Sequence, residues 1–303
     1  MQPSPRLRLA ASAMCLALTL VACGDPRASA DDELVVVATT SILGDIASQV
    51  VGDEGQVDVL IPIGVDAHDF APSAQQAGLL VTADLVVANG LGLEAGLADV
   101  LAAAAGDGVE VVELGPRADP LPFGSEGVEL DPHFWMDPTR VGRAAEALGD
   151  QLATANVEGG WQVRAAAYAS EMEALDADID QALSPIADDQ RRMVTNHQAF
   201  GYFAARYGFE IVGVVIPGGS TLAEPSSAEL AELVEVMRQE GLRVIFTETS
   251  QPTTLADAVA AELGSEVEVV ELFTEALGEP GSDAGTLSGM LLTNAERIAA
   301  ALG

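Results

Sequence analysis

Trp161–Leu183, WQVRAAAYASEMEALDADIDQAL, predicts a single long helix that divides the chain. The segment is rich in Ala and Glu, and Pro185 just beyond it stops the helix. At 1.5 Å per residue it extends about 35 Å, enough to bridge two lobes. Before it, apolar runs predict strands at Leu34–Ala38, Val57–Ile61, Leu85–Ala88 and Val109–Leu114. Helices are expected between them at Ser41–Val51, Ser73–Val81 with Ser73 as cap, Glu94–Ala105 and Pro138–Ala155. Residues 115–131, rich in Gly, Pro and acids, read as a loop. After the long helix the pattern restarts, with strands at Met193–Thr195, Ile211–Val215, Arg243–Thr247 and Val267–Leu272. The helices of that half are expected at Ala199–Tyr207, Ser226–Glu240, Pro252–Leu263 and Thr286–Leu302. Short apolar strands separated by helices imply an α/β fold, its parallel sheets covered on both faces. The expected organisation is a first lobe over 34–157, a linking helix over 158–185 and a second lobe over 186–303.

The N-terminus places the protein outside the cytoplasm. Arg6 and Arg8 precede an apolar run, Leu9–Ala22, that is too short to span a membrane comfortably. It ends Leu20-Val21-Ala22-Cys23, the pattern of a bacterial lipobox: residues 1–22 are then a removed signal, Cys23 carries lipid, and 23–33 form a linker. Cys15 leaves with the signal, so the mature chain has no second cysteine for an internal disulfide.

Composition narrows the partners. The 303 residues suggest about two domains. The 13 cationic side chains are all Arg, and the signal holds two of them and no acid. The mature chain keeps 11 Arg against 47 acids, a net charge of −36. Nucleic-acid binding is excluded as a default, because phosphate contacts need cations. Electrostatic adhesion to anionic lipid is disfavoured for the same reason, which leaves the acyl chains as the anchor.

The chain has only three histidines, each in a short loop. They lie in Val65-Asp66-Ala67-His68-Asp69-Phe70, in Asp131-Pro132-His133-Phe134-Trp135-Met136-Asp137-Pro138 and in Thr195-Asn196-His197-Gln198-Ala199-Phe200. A lone turn histidine is more often merely solvated, but three in such contexts point to metal ligation. Their separations, 65 and 64 residues, suit ligands delivered by successive α/β layers, not a finger motif. His197 directly follows a strand, and ligands of open α/β sheets bind beyond the strands' carboxyl ends. The equivalent loop in the last unit, Phe273-Thr274-Glu275-Ala276, supplies Glu275, completing a set of four with His68, His133 and His197. Glu248, also after a strand, is a rival fourth ligand or a structural hydrogen-bonding group. Asp66, Asp69, Asp131 and Asp137 flank the histidines and either orient imidazoles or cap turns. Trp135 and Phe134 are expected to pack around the site, and Thr40 and Asp45 to serve at a helix start.

At these residues the chain resembles the metal-binding lipoproteins of ABC transporters, the cluster A-I solute-binding proteins for zinc and manganese. The matching segments are Ala38–Ile46, Ile61–His68, Asp131–Pro138, His197–Phe203 and Phe273–Glu275, and together they are highly specific. The resemblance covers Leu34–Leu302. It implies two similar α/β lobes joined by one long rigid helix, with metal between them. It also implies delivery to a membrane permease driven by a cytoplasmic ATPase. A monomer that acts as a carrier, with no turnover of its own, is expected. Three features depart from the family pattern. Ala67 stands where Pro is usual, Glu275 where Asp is common, and no His-rich loop occurs before His133. Three imidazoles and one carboxylate favour one zinc ion as the transported ligand, with manganese (or iron) as the alternative. Two other classes compete, a secreted zinc hydrolase and an adhesin lipoprotein with a structural metal. Against the hydrolase, the chain has neither a His-Glu-x-x-His helix nor a Gly-x-Ser-x-Gly elbow.

Overall fold

A computed structural model describes residues 33–123, 129–155, 159–218 and 220–303. The signal and Cys23 lie outside these residues, as do parts of the 115–131 loop and of the 158–185 linking segment. The first half forms a parallel sheet of β1 (Leu34–Ala38), β2 (Gly55–Val59), β3 (Leu85–Ala88) and β4 (Glu110–Glu113) in the order β2-β1-β3-β4. Its helices are α1 (Ser41–Val51), α2 (Ala74–Thr82) and α3 (Ala98–Gly106). A short antiparallel hairpin, β5 (Pro122–Phe123) with β6 (Glu129–Leu130), interrupts the expected loop, and α4 (Pro138–Thr154) follows. The long helix α5 (Trp161–Leu183) then leads into the second half.

The second sheet contains β7 (Arg192–Thr195), β8 (Glu210–Val214), β9 (Val244–Glu248) and β10 (Glu268–Leu272), ordered β10-β9-β7-β8. Numbered within its own half, this order repeats that of the first sheet. All its pairings are parallel. Its helices are α6 (Gly201–Tyr207), α7 (Ser227–Glu240), α8 (Thr254–Leu263) and α9 (Leu287–Leu302). The two halves are therefore similar α/β lobes joined by one long helix.

Element ends follow local chemistry. Ser73 and Ser226 close capping boxes with Gln76 and Glu229, so α2 and α7 each begin one residue after the predicted start. The helix expected from Glu94 begins later: the Glu94 carboxylate accepts the Asn89 and Gly90 N–H groups, and a 3₁₀ turn over Ala95–Leu97 precedes α3. Asp45 is not a helix-start residue. It lies a turn inside α1 and accepts the Tyr168 hydroxyl of α5 at 3.2 Å, and burial raises its carboxyl above the usual range.

Helix α5 buries Trp161, Ala165, Tyr168, Met172, Leu175, Ile179 and Leu183, one side chain every three or four residues. Full burial of each larger apolar side chain contributes roughly 1.5–3 kcal/mol. Its partner α4 approaches closely because Gly149 faces it: a Cβ there would lie 2.8 Å from that of Ala165. One core joins the first lobe, α4, α5, α6 and α9. A smaller core of Val194, Leu233, Met237, Ile245 and Val259 serves the outer part of the second lobe.

Candidate metal centre

His68, His133, His197 and Glu275 are all buried and converge: one ligand atom of each lies within 4.8 Å of the others. Two arise from loops of the first lobe and two from loops after strands β7 and β10 of the second. Glu275 Oε1 is 3.4 Å from His133 Nε2 and 3.5 Å from His197 Nε2, and the two Nε2 atoms are 3.3 Å apart. Ligands about 2.05 Å from a tetrahedral zinc ion stand about 3.3 Å from one another.

The imidazoles are oriented from behind. His133 Nδ1 contacts Asp131 Oδ1 at 2.7 Å, and His197 Nδ1 contacts Glu248 Oε1. With Nδ1 as donor in each ring, both Nε2 lone pairs point into the same small space. Neutral rings in that arrangement repel unless a cation lies between them. Among the described residues, His68 Nε2 and both Glu275 oxygens are buried with no hydrogen-bond partner, a state that is costly unless something else satisfies them.

Electrostatics agree. Burial opposes protonation of His133 and His197, but the carboxylates outweigh it. Asp131 and Glu275 push His133 up to about 9, and Glu248 and Glu275 push His197 up to about 10. For Glu275, burial favours the neutral acid, yet His133 and His197 hold the carboxyl well below its ordinary range. Burial lowers His68, against the pull of Glu275. The cluster is an electronegative cage whose imidazoles would have to shed their protons before they could ligate a cation.

Each loop has its own anchors. Asp131 Oδ1 also accepts the His133 N–H, at 2.9 Å, and Asn89 donates to Pro132 O at 3.1 Å. Tyr202 of α6 donates to Asp131 O at 2.6 Å. A side chain at Gly201 would collide with Asp131, its Cβ lying 2.6 Å from Oδ2. Thr195 Oγ1 donates to His197 O at 2.8 Å. The Glu275 loop is held by Asn294, which bonds both backbone groups of Phe273, and by Trp135 Nε1, which donates to Thr274 O at 2.8 Å. Leu277 N donates to Ser41 Oγ at 3.1 Å. Trp135 and Ser41 belong to the first lobe, so this second-lobe loop rests on both.

The flanking acids thus divide in role. Asp131 orients a ring, Asp66 accepts the His68 N–H at 2.8 Å, Asp137 caps α4 and Asp69 is exposed. Glu248 stands behind His197, with one oxygen on Nδ1 and the other accepting the Thr274 hydroxyl at 2.8 Å, so both of its oxygens are engaged in hydrogen bonds. Trp135 and Phe134 pack beside the site as expected, and Thr40 caps α1. Asn89, Gln251 and Asn294 escaped the sequence reading, and no motif marks them. Tyr202 lies in the matching segment His197–Phe203 and Glu94 at an expected helix start, but their contacts with Asp131 O and with the Asn89 N–H are visible only in the fold.

The family model described as "Zinc-uptake complex component A periplasmic" (ZnuA) matches residues 36–301. The zinc-binding protein TroA of Treponema pallidum is 33% identical over 288 residues, covering 92% of each chain. The manganese-binding lipoprotein MntA of Halalkalibacterium halodurans is 30% identical over 294 residues, covering 95% of this chain and 96% of that protein. Among solved structures, the periplasmic zinc-binding protein TroA from Treponema pallidum superposes with a TM-score of 0.81 at 30% identity, over 90% of this chain and 100% of that one.

Proposed function

Because the chain belongs to the family of periplasmic zinc-uptake component A proteins, we propose that it captures one zinc ion on His68, His133, His197 and Glu275 and delivers it to an ABC permease powered by a cytoplasmic ATPase. The observation that carries this reading is the ligand geometry. The spacings of 3.3, 3.4 and 3.5 Å among the His133, His197 and Glu275 atoms match the edges of a tetrahedral zinc site. Residues 34–157 and 186–303 are the lobes and 158–185 the link between them. Lipid on Cys23 holds a monomer at the outer face of the cell membrane. Among the described residues no helix is long and apolar enough to cross a membrane. With Glu275 in the fourth position no ligand site is left for a water nucleophile, so the protein is a carrier and not a hydrolase.

Manganese is the second reading. Both Glu275 oxygens lack hydrogen-bond partners, so the carboxylate is free to bind in bidentate fashion, and manganese favours the added oxygen. Deletion of the gene, with growth in metal-depleted medium, separates the two. Rescue by zinc supports the proposal, and rescue by manganese alone transfers the function to manganese. Metal-dependent hydrolysis of peptides or esters that is lost in His197→Ala contradicts the carrier reading.

A further inference from the structure

Glu248 ends β9, the strand that lies between β7 and β10. His197 comes two residues after β7 and Glu275 three after β10. A side chain at the end of the middle strand can therefore reach both ligand loops, and Glu248 does so. One of its oxygens meets His197 Nδ1, and the other accepts the Thr274 hydroxyl at 2.8 Å. Thr274 immediately precedes Glu275 and is 0% exposed.

The polar groups of Thr274 are bonded in two directions. Its hydroxyl goes to Glu248 of the second lobe, and its carbonyl accepts Trp135 Nε1 of the first lobe at 2.8 Å. The backbone that leads into Glu275 is thus pinned. The Glu275 carboxylate has no brace of its own, since among the described residues neither oxygen has a hydrogen-bond partner. Its place is set by the residue before it. The contacts run from His197 through Glu248 and Thr274 to Glu275, and the two ends of that chain, His197 Nε2 and Glu275 Oε1, stand 3.5 Å apart.

We propose that Thr274 is a specificity-determining residue: bonded to Glu248 and to Trp135, it fixes the spacing of His197 and Glu275 so that Glu275 offers a single oxygen, which favours zinc over manganese. The proposal rests on the metal-carrier reading above. Zinc is satisfied by a closed set of four ligands, whereas manganese gains from further carboxylate oxygens. The carboxylate can rotate, but binding through both oxygens also requires it to shift relative to His197, and the Thr274 bonds oppose that shift. Buried and screened from water, those bonds hold more firmly than they would at the surface.

The test uses the full protein, purified in mild detergent and titrated with zinc and with manganese against chelators of known affinity. Thr274→Val keeps the shape and removes the hydroxyl. Its ratio of zinc to manganese affinity is expected to fall about tenfold, within the range of losses behind a metal ligand. Thr274→Ser keeps the hydroxyl and should restore the parental ratio. Cobalt gives a second readout, because its visible absorption is strong in a four-coordinate site and weak in a six-coordinate one. The intensity should drop in Thr274→Val and recover in Thr274→Ser. An unchanged ratio overturns the proposal and leaves the carrier reading intact. Equal losses for both metals, with an unchanged cobalt spectrum, make Thr274 merely structural and overturn it too. If Thr274→Val does not fold, Trp135→Phe, which removes the other bond on Thr274, takes its place, and the same outcomes decide. Failure of the parental protein to bind either metal overturns the carrier reading, and the proposal with it.

Discussion

Two turns of the first lobe share one plan. Asp66-Ala67-His68 and Asp131-Pro132-His133 each place an Asp two residues before a His, and in each the carboxylate accepts the His N–H. They diverge in what else the Asp does. Asp131 turns the same oxygen onto its own histidine's Nδ1 at 2.7 Å, and Tyr202 and Asn89 fix the surrounding backbone. Asp66 gives its second oxygen to Thr221 and Gln251 of the other lobe, and among the described residues no hydrogen bond holds the His68 ring. The central residue differs as well: Pro132 locks its own φ, and Ala67 does not. The same local motif thus gives a ring held by its own Asp at one edge of the cluster and a ring without that support at the other. What distinguishes them lies in distant contacts, outside the tripeptide itself.

The largest expected effect breaks the fixed side. Four ligands of a structural zinc site together supply about 10–16 kcal/mol, so removal of a well-fixed imidazole should cost about 3 kcal/mol. His133→Ala or His197→Ala should weaken zinc binding by at least about 100-fold. His68→Ala should cost less, because His68 lines a cleft and water entering from it can occupy its place. Competition titration against a chelator of known affinity measures all three. A loss in His68→Ala equal to that in His133→Ala would erase the distinction between the two turns.

Removing the metal comes next. At free zinc 100 times the dissociation constant, binding adds about 2.7 kcal/mol to stability. The pH dependence has a definite sign. His133 and His197 are raised from an ordinary value of 6.5 to about 9 and about 10 in the folded metal-free protein. Their protons therefore stabilise that form fully below about pH 6.5, and this contribution is lost as pH rises through 9 and 10. Glu275 is depressed, so its contribution is present above its ordinary 4.5 and fades as pH falls toward its folded value. Metal must displace the histidine protons, so the zinc-induced rise in melting temperature should grow from pH 6 to pH 9 and largely vanish at pH 5. Thermal melts with and without zinc across that range check this. A shift that is the same at pH 5 and pH 9 argues against histidine ligation.

Smaller losses should follow removal of the supporting carboxylates. Glu248→Gln and Asp131→Asn leave the ligands in place but weaken their hold, and about 10- to 100-fold in affinity is expected. The smallest effect is assigned to Glu275→Asp, below about tenfold, because the loop stays anchored by Trp135, Ser41 and Asn294. Titration with zinc and manganese in parallel would show whether the shorter arm changes the ratio between the metals.

The two-lobed α/β fold was legible because its strands are short apolar runs and its linker is one long uninterrupted helix. The four converging side chains were legible because histidine is scarce here and each one sits in a loop beside a strand end or an acidic turn. The supports of the site were harder to read. Glu248 has two readings that its sequence leaves open, ligand or scaffold, and its position behind Nδ1 of His197 becomes visible only in the fold. Asp66, Asp69, Asp131 and Asp137 look alike in sequence, yet they fold into four different roles. The Asp66 contacts span 155 and 185 residues, distances over which no local pattern speaks.

The most direct test of the central claim is anomalous diffraction at the zinc edge from crystals of the zinc-loaded protein. The account predicts one strong peak between the lobes, about 2.0–2.2 Å from nitrogen atoms of His68, His133 and His197 and from a Glu275 oxygen. A peak elsewhere, a second one of equal strength, or an ion on Glu248 in place of Glu275 would contradict it.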